Sequence, residues 1–170
     1  QDEMWDEEDG FFYDVLRFPD GAATRLKVRS IVGLLPLAAV VVFEEDILAR
    51  LPTFGKNARR FLARHPDLIA NMHLPGTPGV GNRRMLSIVD EVKLRRILAR
   101  MLDESEFFGP YGIRALSRYH LDHPYVFQHG GQEYRVAYVP GDSDSGMFGG
   151  NSNWRGPVWM PPSFMMIESL

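Results

Sequence analysis

The segment Asn153-Trp154-Arg155-Gly156-Pro157-Val158-Trp159 brings two indoles and a guanidinium within seven residues. Flat aromatic faces can cover the C–H face of a pyranose, while Arg, Asn and Asp bond its hydroxyls in one plane. Sugar binding is the chemistry this offers. The alternative is packing, with Trp154 and Trp159 as large core residues at a helix entrance and Arg155 paired to a nearby carboxylate. Residue types alone leave both readings open.

Other candidate chemistries fall short of their requirements. Gly76-Thr77-Pro78-Gly79-Val80-Gly81-Asn82 lacks the Gly-Lys-Ser/Thr ending of a phosphate loop and follows no predicted strand. Asp142-Ser143-Asp144-Ser145-Gly146 has alternate carboxylates that could face calcium, but the downstream glutamate of a twelve-residue calcium loop is missing, so a solvated turn is the other reading. Histidines stand at 65, 73, 120, 123 and 129, and no pair has the i, i+4 spacing of a helical zinc site. Ser30, Ser117 and Ser163 have no Gly-x-Ser-x-Gly context. Neither a metal nor a cofactor is expected. The acidic head, from Asp2 and Glu3 through Asp6, Glu7, Glu8 and Asp9, reads as a solvated charge run.

The elements that must position these residues follow from periodicity and punctuation. Asp-Gly and Pro-Asp-Gly predict a hairpin-like excursion over 10–28. The apolar run 30–42 predicts a buried helix bent at Pro36. Residues 44–71 predict a helix, break, helix unit with Leu51, Phe54 and Phe61 on its apolar face. The stretch 87–103 predicts an amphipathic helix with Val92, Ile97 and Leu98 inward, and Gly130-Gly131 a turn between two strands. The prolines at 161 and 162 start a helix that still runs at Leu170 without a cap.

Composition bounds the partners. The chain has 170 residues, no cysteine and a formal net charge of -3, so charge selects neither nucleic acid nor an anionic membrane. The longest apolar run, 31–43, is too short to span a bilayer and holds a proline. All of 1–170 is assigned to one unit. It opens without an initiator methionine and closes inside a helix, which predicts a segment truncated at both ends.

Four motifs in order, Trp5–Leu16, Leu26–Leu37, Phe107–Ser117 and Asn153–Trp159, resemble the C-terminal catalytic region of bacterial proteins similar to glycoside hydrolase family 63. The last also resembles the Trp-containing signature of trehalases. The resemblance implies a mainly α fold, part of an (α/α) toroid with long loops and one or two short β-hairpins. It further implies part of an inverting hydrolase of α-glucosides or α-mannosides, in which one carboxylic acid protonates the glycosidic oxygen and a carboxylate opposite activates water. Neither catalytic motif matches a position here, so no catalytic residue is assigned. The substrate-binding residues implied are Trp154, Arg155, Trp159, Tyr111 and Arg114. The partners expected are an oligosaccharide or small glycoside and the remainder of a parent chain, in a bacterial cytoplasm. A non-catalytic carbohydrate-binding or structural helical module is the alternative.

Overall fold

Aromatic residues flanking a glycine turn set the layout at the start of the chain. In the computed structural model, which describes residues 4–44, 46–66, 78–140 and 158–170, strand β1 (Trp5–Asp6) pairs antiparallel with β2 (Phe11–Phe12). Gly10 sits at φ 62°, where a side chain would be strained and would also strike the Arg96 guanidinium. Trp5, Phe11, Phe12 and Tyr13 are all buried, and the Phe11 and Phe107 rings stack with centroids 5.6 Å apart. Each such side chain taken out of water contributes about 2–3 kcal/mol before entropic costs.

The predicted hairpin over 10–28 forms as β3 (Asp14–Arg17) against β4 (Ala23–Leu26), with Gly21 at φ 87° in its turn. Residues 29–31 then run antiparallel to 115–117, through Ile31 N–H to the Ala115 carbonyl and Ser117 N–H to the Arg29 carbonyl, each 2.8 Å. The buried helix expected over 30–42 is corrected. It is a 3-10 helix over Ile31–Ala38 that holds Pro36, followed by strand β5 (Val40–Phe43) paired with β6 (Arg84–Ser87). Proline supplies no N–H to an α-helical ladder, and the β-branched Val40-Val41-Val42 run packs better on a pleated surface.

Helices α1 (Ile47–Arg50) and α2 (Pro52–Arg64) form the expected interrupted pair. Their predicted core face is not a core face, since Leu51, Phe54 and Phe61 are half exposed. A short 3-10 turn, Val80–Asn82, precedes β6. Helix α3 (Glu91–Met101) starts at Asp90, whose carboxylate accepts from the Lys93 N–H at 2.8 Å. Ile97 is fully buried and Leu98 packs against the core as expected, but Val92 is exposed and Lys93 takes the inward place. The Lys93 ammonium lies 5.6 Å from the Trp5 ring centroid, and its stem lines the core.

A tight hairpin of β7 (Phe108–Gly109) and β8 (Gly112–Ile113) follows, then a 3-10 turn at Arg118–Leu121. Strands β9 (Tyr125–His129) and β10 (Gln132–Val136) pair around Gly130 and Gly131 at φ 59° and 76°, the left-handed geometry of a two-residue hairpin turn. Helix α4 (Met160–Glu168) returns to the 3-10 helix 31–38 and buries Met166 in the core.

The expectation of a mainly α fold forming part of an (α/α) toroid is overturned. Among the described residues, four α-helices accompany five separate two-stranded antiparallel sheets, and no ring of paired helices forms. Gly turns and β-branched or aromatic runs turn the connections between helices into hairpins, leaving α3 and α4 as the helices that bury residues in the central cluster.

Gly33 lies on the 3-10 helix where it crosses β2, and a methyl group there would overlap the Phe11 ring and the Phe12 carbonyl oxygen. Gly33→Ala is expected to lower the unfolding free energy by about 2–3 kcal/mol or more, through overpacking of a filled core. A urea titration followed by tryptophan fluorescence reads it, and an unchanged midpoint contradicts this packing.

Candidate functional site

The strongest concentration of polar chemistry lies where the N-terminal turn, residues 25–29, α3 and the 103–120 segment meet. Arg25, Lys27 and Arg29 alternate along extended backbone, which puts their side chains on one face. Opposite them are Asp6 and Asp9. Arg25 Nη1 and Lys27 Nζ donate to Asp6 Oδ2 at 2.9 and 3.0 Å, and Lys27 also reaches Asp9 Oδ2 at 3.0 Å. Arg29 spans Asp9 Oδ1 at 3.1 Å and Glu106 Oε1 at 2.6 Å, with its guanidinium carbon 3.8 Å from the Tyr119 ring centroid.

Glu106 is buried and accepts three donors: Arg29, Arg100 Nη1 at 2.5 Å and the Ser117 hydroxyl at 2.5 Å. His120, also buried, accepts the Arg29 backbone N–H on Nε2 at 2.9 Å, so its proton sits on Nδ1 and is donated to the His123 carbonyl at 2.8 Å. A cleft of about 260 Å³ opens beside this network, lined by Ser105, Glu106, Arg118, Tyr119, Asp122 and His123. A larger cleft of about 340 Å³ lies between the hairpins, with walls that include Leu16, Leu26, Phe127 and Tyr134. Its apolar walls are poorly suited to bonding the hydroxyls of a sugar.

Electrostatics fixes the protonation states. Burial works to raise the Asp6 carboxyl, but the Asp9 N–H, Lys27 and Arg25 outweigh it and hold it at about 2. Asp9 is lowered in the same way, against its own burial, by Lys27, Tyr13 and Arg29. Burial, with the Asp9 charge adding to it, pushes the Tyr13 hydroxyl up to about 12. A general acid needs a carboxyl raised toward neutrality, which is the opposite of what Asp6 and Asp9 receive. The acidic head is corrected accordingly: Asp6 and Asp9 are structural anions facing cations, not members of a solvated run.

The residues expected to touch a sugar are distributed as follows. Tyr111 is 89% exposed at the tip of the β7–β8 hairpin. Arg114 is buried, and its Nη1 donates to the carbonyls of Glu104, Glu106 and Phe108 at 2.9, 3.1 and 2.8 Å. That guanidinium therefore braces the loop. Trp159 is half-buried and packs against the core, and its carbonyl accepts from the Ser163 hydroxyl at 3.0 Å. Trp154, Arg155, Asp142 and Asp144 lie outside the described residues. A β-bridge between Arg114 and Val158 brings the hairpin beside the backbone leading into Trp159, and a side chain at Gly112 would press on Val158.

Sequence reasoning missed Arg29, Glu106 and Arg100, and weighed His120 only as a zinc ligand. The usable signal was the alternation Arg25, Lys27, Arg29, three cations on one strand face that demand buried or paired anions. Among the described residues no three His, Asp or Glu side chains converge as a metal site, and no helix is long and apolar enough to cross a membrane.

Removing the Glu106 carboxylate leaves two guanidiniums facing one another, so Glu106→Ala is expected to cost about 3–5 kcal/mol in chemical denaturation, with Glu106→Gln costing less. His120 gives a pH signature. Burial first, and the Arg29 charge, lower its pKa below the ordinary 6.5. The unfolded chain thus takes up a proton as pH falls through 6.5 while the folded chain does not. Stability should be full above that value and decline below it until the folded imidazole also titrates. Urea midpoints between about pH 7.5 and 5.5 should fall in the parent and be flatter in His120→Gln; parallel profiles would contradict the assignment.

Comparison with known proteins adds one relative. No family model matches the chain. The uncharacterised protein YMR196W of Saccharomyces cerevisiae is 46% identical to it over 168 residues, covering 98% of this chain and 15% of the yeast protein. The resemblance to bacterial family 63 proteins is corrected by these findings, since no family model supports it and the similar sequence is an uncharacterised eukaryotic one.

Proposed function

We propose that the chain is part of the catalytic unit of an inverting glycoside hydrolase acting on α-glucosides or α-mannosides, contributing substrate-contacting residues and not the acid and base. The observation that carries this reading is the Arg114–Val158 bridge, which joins the exposed Tyr111 hairpin to the backbone running into Trp159. An exposed phenol on a hairpin that bridges to the backbone just before Trp159 is the kind of surface on which a pyranose face stacks. The paired state of Asp6 and Asp9 fits the absence of a proton donor among the assigned residues, because an inverting pair needs one raised carboxyl and a second carboxylate about 6.5–9.5 Å away. The acid and base would come from the remainder of a longer polypeptide, and the substrate would be an oligosaccharide or small glycoside.

A second reading, a non-catalytic or structural module, is favoured by the packing of Trp159 on the core and the three carbonyls held by Arg114. Tyr111 separates the two, because its ring is exposed and its loss should leave the fold intact. In the full-length polypeptide, Tyr111→Ala is expected to lower kcat/KM on a cleaved α-glycoside by about tenfold, equivalent to ~1.4 kcal/mol of transition-state binding, with thermal stability unchanged. Titration of the isolated chain with disaccharides should give weak binding without hydrolysis. Unchanged kinetics together with no disaccharide binding would leave the structural reading.

A further inference from the structure

Helix α2 carries Lys56, Arg59, Arg60 and Arg64 and has no acidic residue. Among the described residues the ion pairs fall elsewhere: the neighbouring Arg50 binds Asp46, while the four α2 cations face none. The same helix exposes Phe54 and Phe61, each 52% accessible, and Leu51 just before it. At 3.6 residues per turn, positions seven apart lie about 20° from one another, so the two phenylalanines form a ridge two turns long. Arg64 and Arg60 follow on one flank. On the other come half-buried Ala58 and Leu62 and buried Gly55, and beyond them the exposed Arg59.

We propose that this outer face of α2 is a docking surface for an acidic amphipathic helix of the longer polypeptide in which such a sequence works. The yeast relative carries the matched region as 15% of its length, so most of that polypeptide lies outside it. An apolar ridge with a basic flank complements a helix bearing an apolar ridge and a row of carboxylates. This rests on the reading of the chain as part of a longer protein and not on its sugar chemistry, and the test below uses no activity.

Hydrogen exchange decides it, comparing the isolated chain with a chimera in which the chain replaces the matched segment of the yeast protein. Peptides covering 52–64 should exchange at least about tenfold more slowly in the chimera. Arg60→Glu with Arg64→Glu, and separately Phe54→Ala with Phe61→Ala, should abolish most of that protection while leaving α3 unchanged. Equal exchange in chain and chimera overturns the proposal, as does protection that survives the charge reversal. Protection of the isolated chain by phosphatidylserine-rich vesicles, without any in the chimera, would overturn it in favour of a lipid surface. The intact yeast protein provides a reading that does not depend on the chimera folding: its helix matching 52–64 must exchange more slowly than α2 of this chain, and equal rates there are equally fatal.

Discussion

The pairing of Glu106 with Arg29 and Arg100 is the constraint on which the rest of the structure depends. Arg29 comes to this carboxylate from 77 residues away in sequence, Arg100 from six, and the same guanidiniums also hold the turn at Asp9, where Arg100 donates to the Asp9 carbonyl through Nε at 2.8 Å. Taking a carboxylate and two guanidiniums out of water costs several kcal/mol per ion, which only good geometry recovers. The gain is therefore less in net stability than in uniqueness. An apolar core built of Phe11, Phe107, Ile31 and Leu34 could accept several registers of a short two-stranded sheet, but only one satisfies these charges.

The core and the network reinforce one another through shared backbone. Phe107 stacks on Phe11 one residue from Glu106, and the antiparallel run of 29–31 against 115–117 carries Arg29 into place while burying Ile31, Ala115 and Leu116. Arg114 then closes the 104–108 loop by gathering the carbonyls of Glu104, Glu106 and Phe108, the second of which also accepts from the Arg118 N–H at 3.0 Å. Trp5 marks where this arrangement is least complete: its Nε1 is buried without an acceptor, while Lys93 and Arg96 lie over its ring. The indole face is used there and its polar edge is not, a cost that the aromatic packing around Phe12 offsets.

Much of the local structure was legible because its signals are local. Gly130-Gly131 and Pro19-Asp20-Gly21 specify turns locally, and the apolar period over 87–103 marks α3, although its start at the Asp90 cap was not read from the sequence. The 31–43 run was ambiguous for a physical reason: continuous apolar sequence has no period, so helix and strand are distinguished only by Pro36 and the valines. Val92 and Lys93 exchanged places because a long aliphatic stem with a cation over Trp5 satisfies an inward position as well as valine does. The toroid was never in the residues at all, since ring closure depends on which helices face each other. Tyr111 and Arg114 were named from one motif, but composition could not tell that Tyr111 faces water while Arg114 lies in the loop interior, bridged to Val158.

The distribution of charge within the fold also bears on where catalysis could reside. Glycosidic cleavage by inversion requires one carboxyl held protonated, and proteins achieve this by burying it away from cations. Here the buried or part-buried Asp6, Asp9 and Glu106 each face at least two cationic side chains, the opposite environment. Converting any of them to a proton donor would require dismantling the pairing that sets the register of the core. A chain organised this way can shape and line a site far more readily than it can supply the proton.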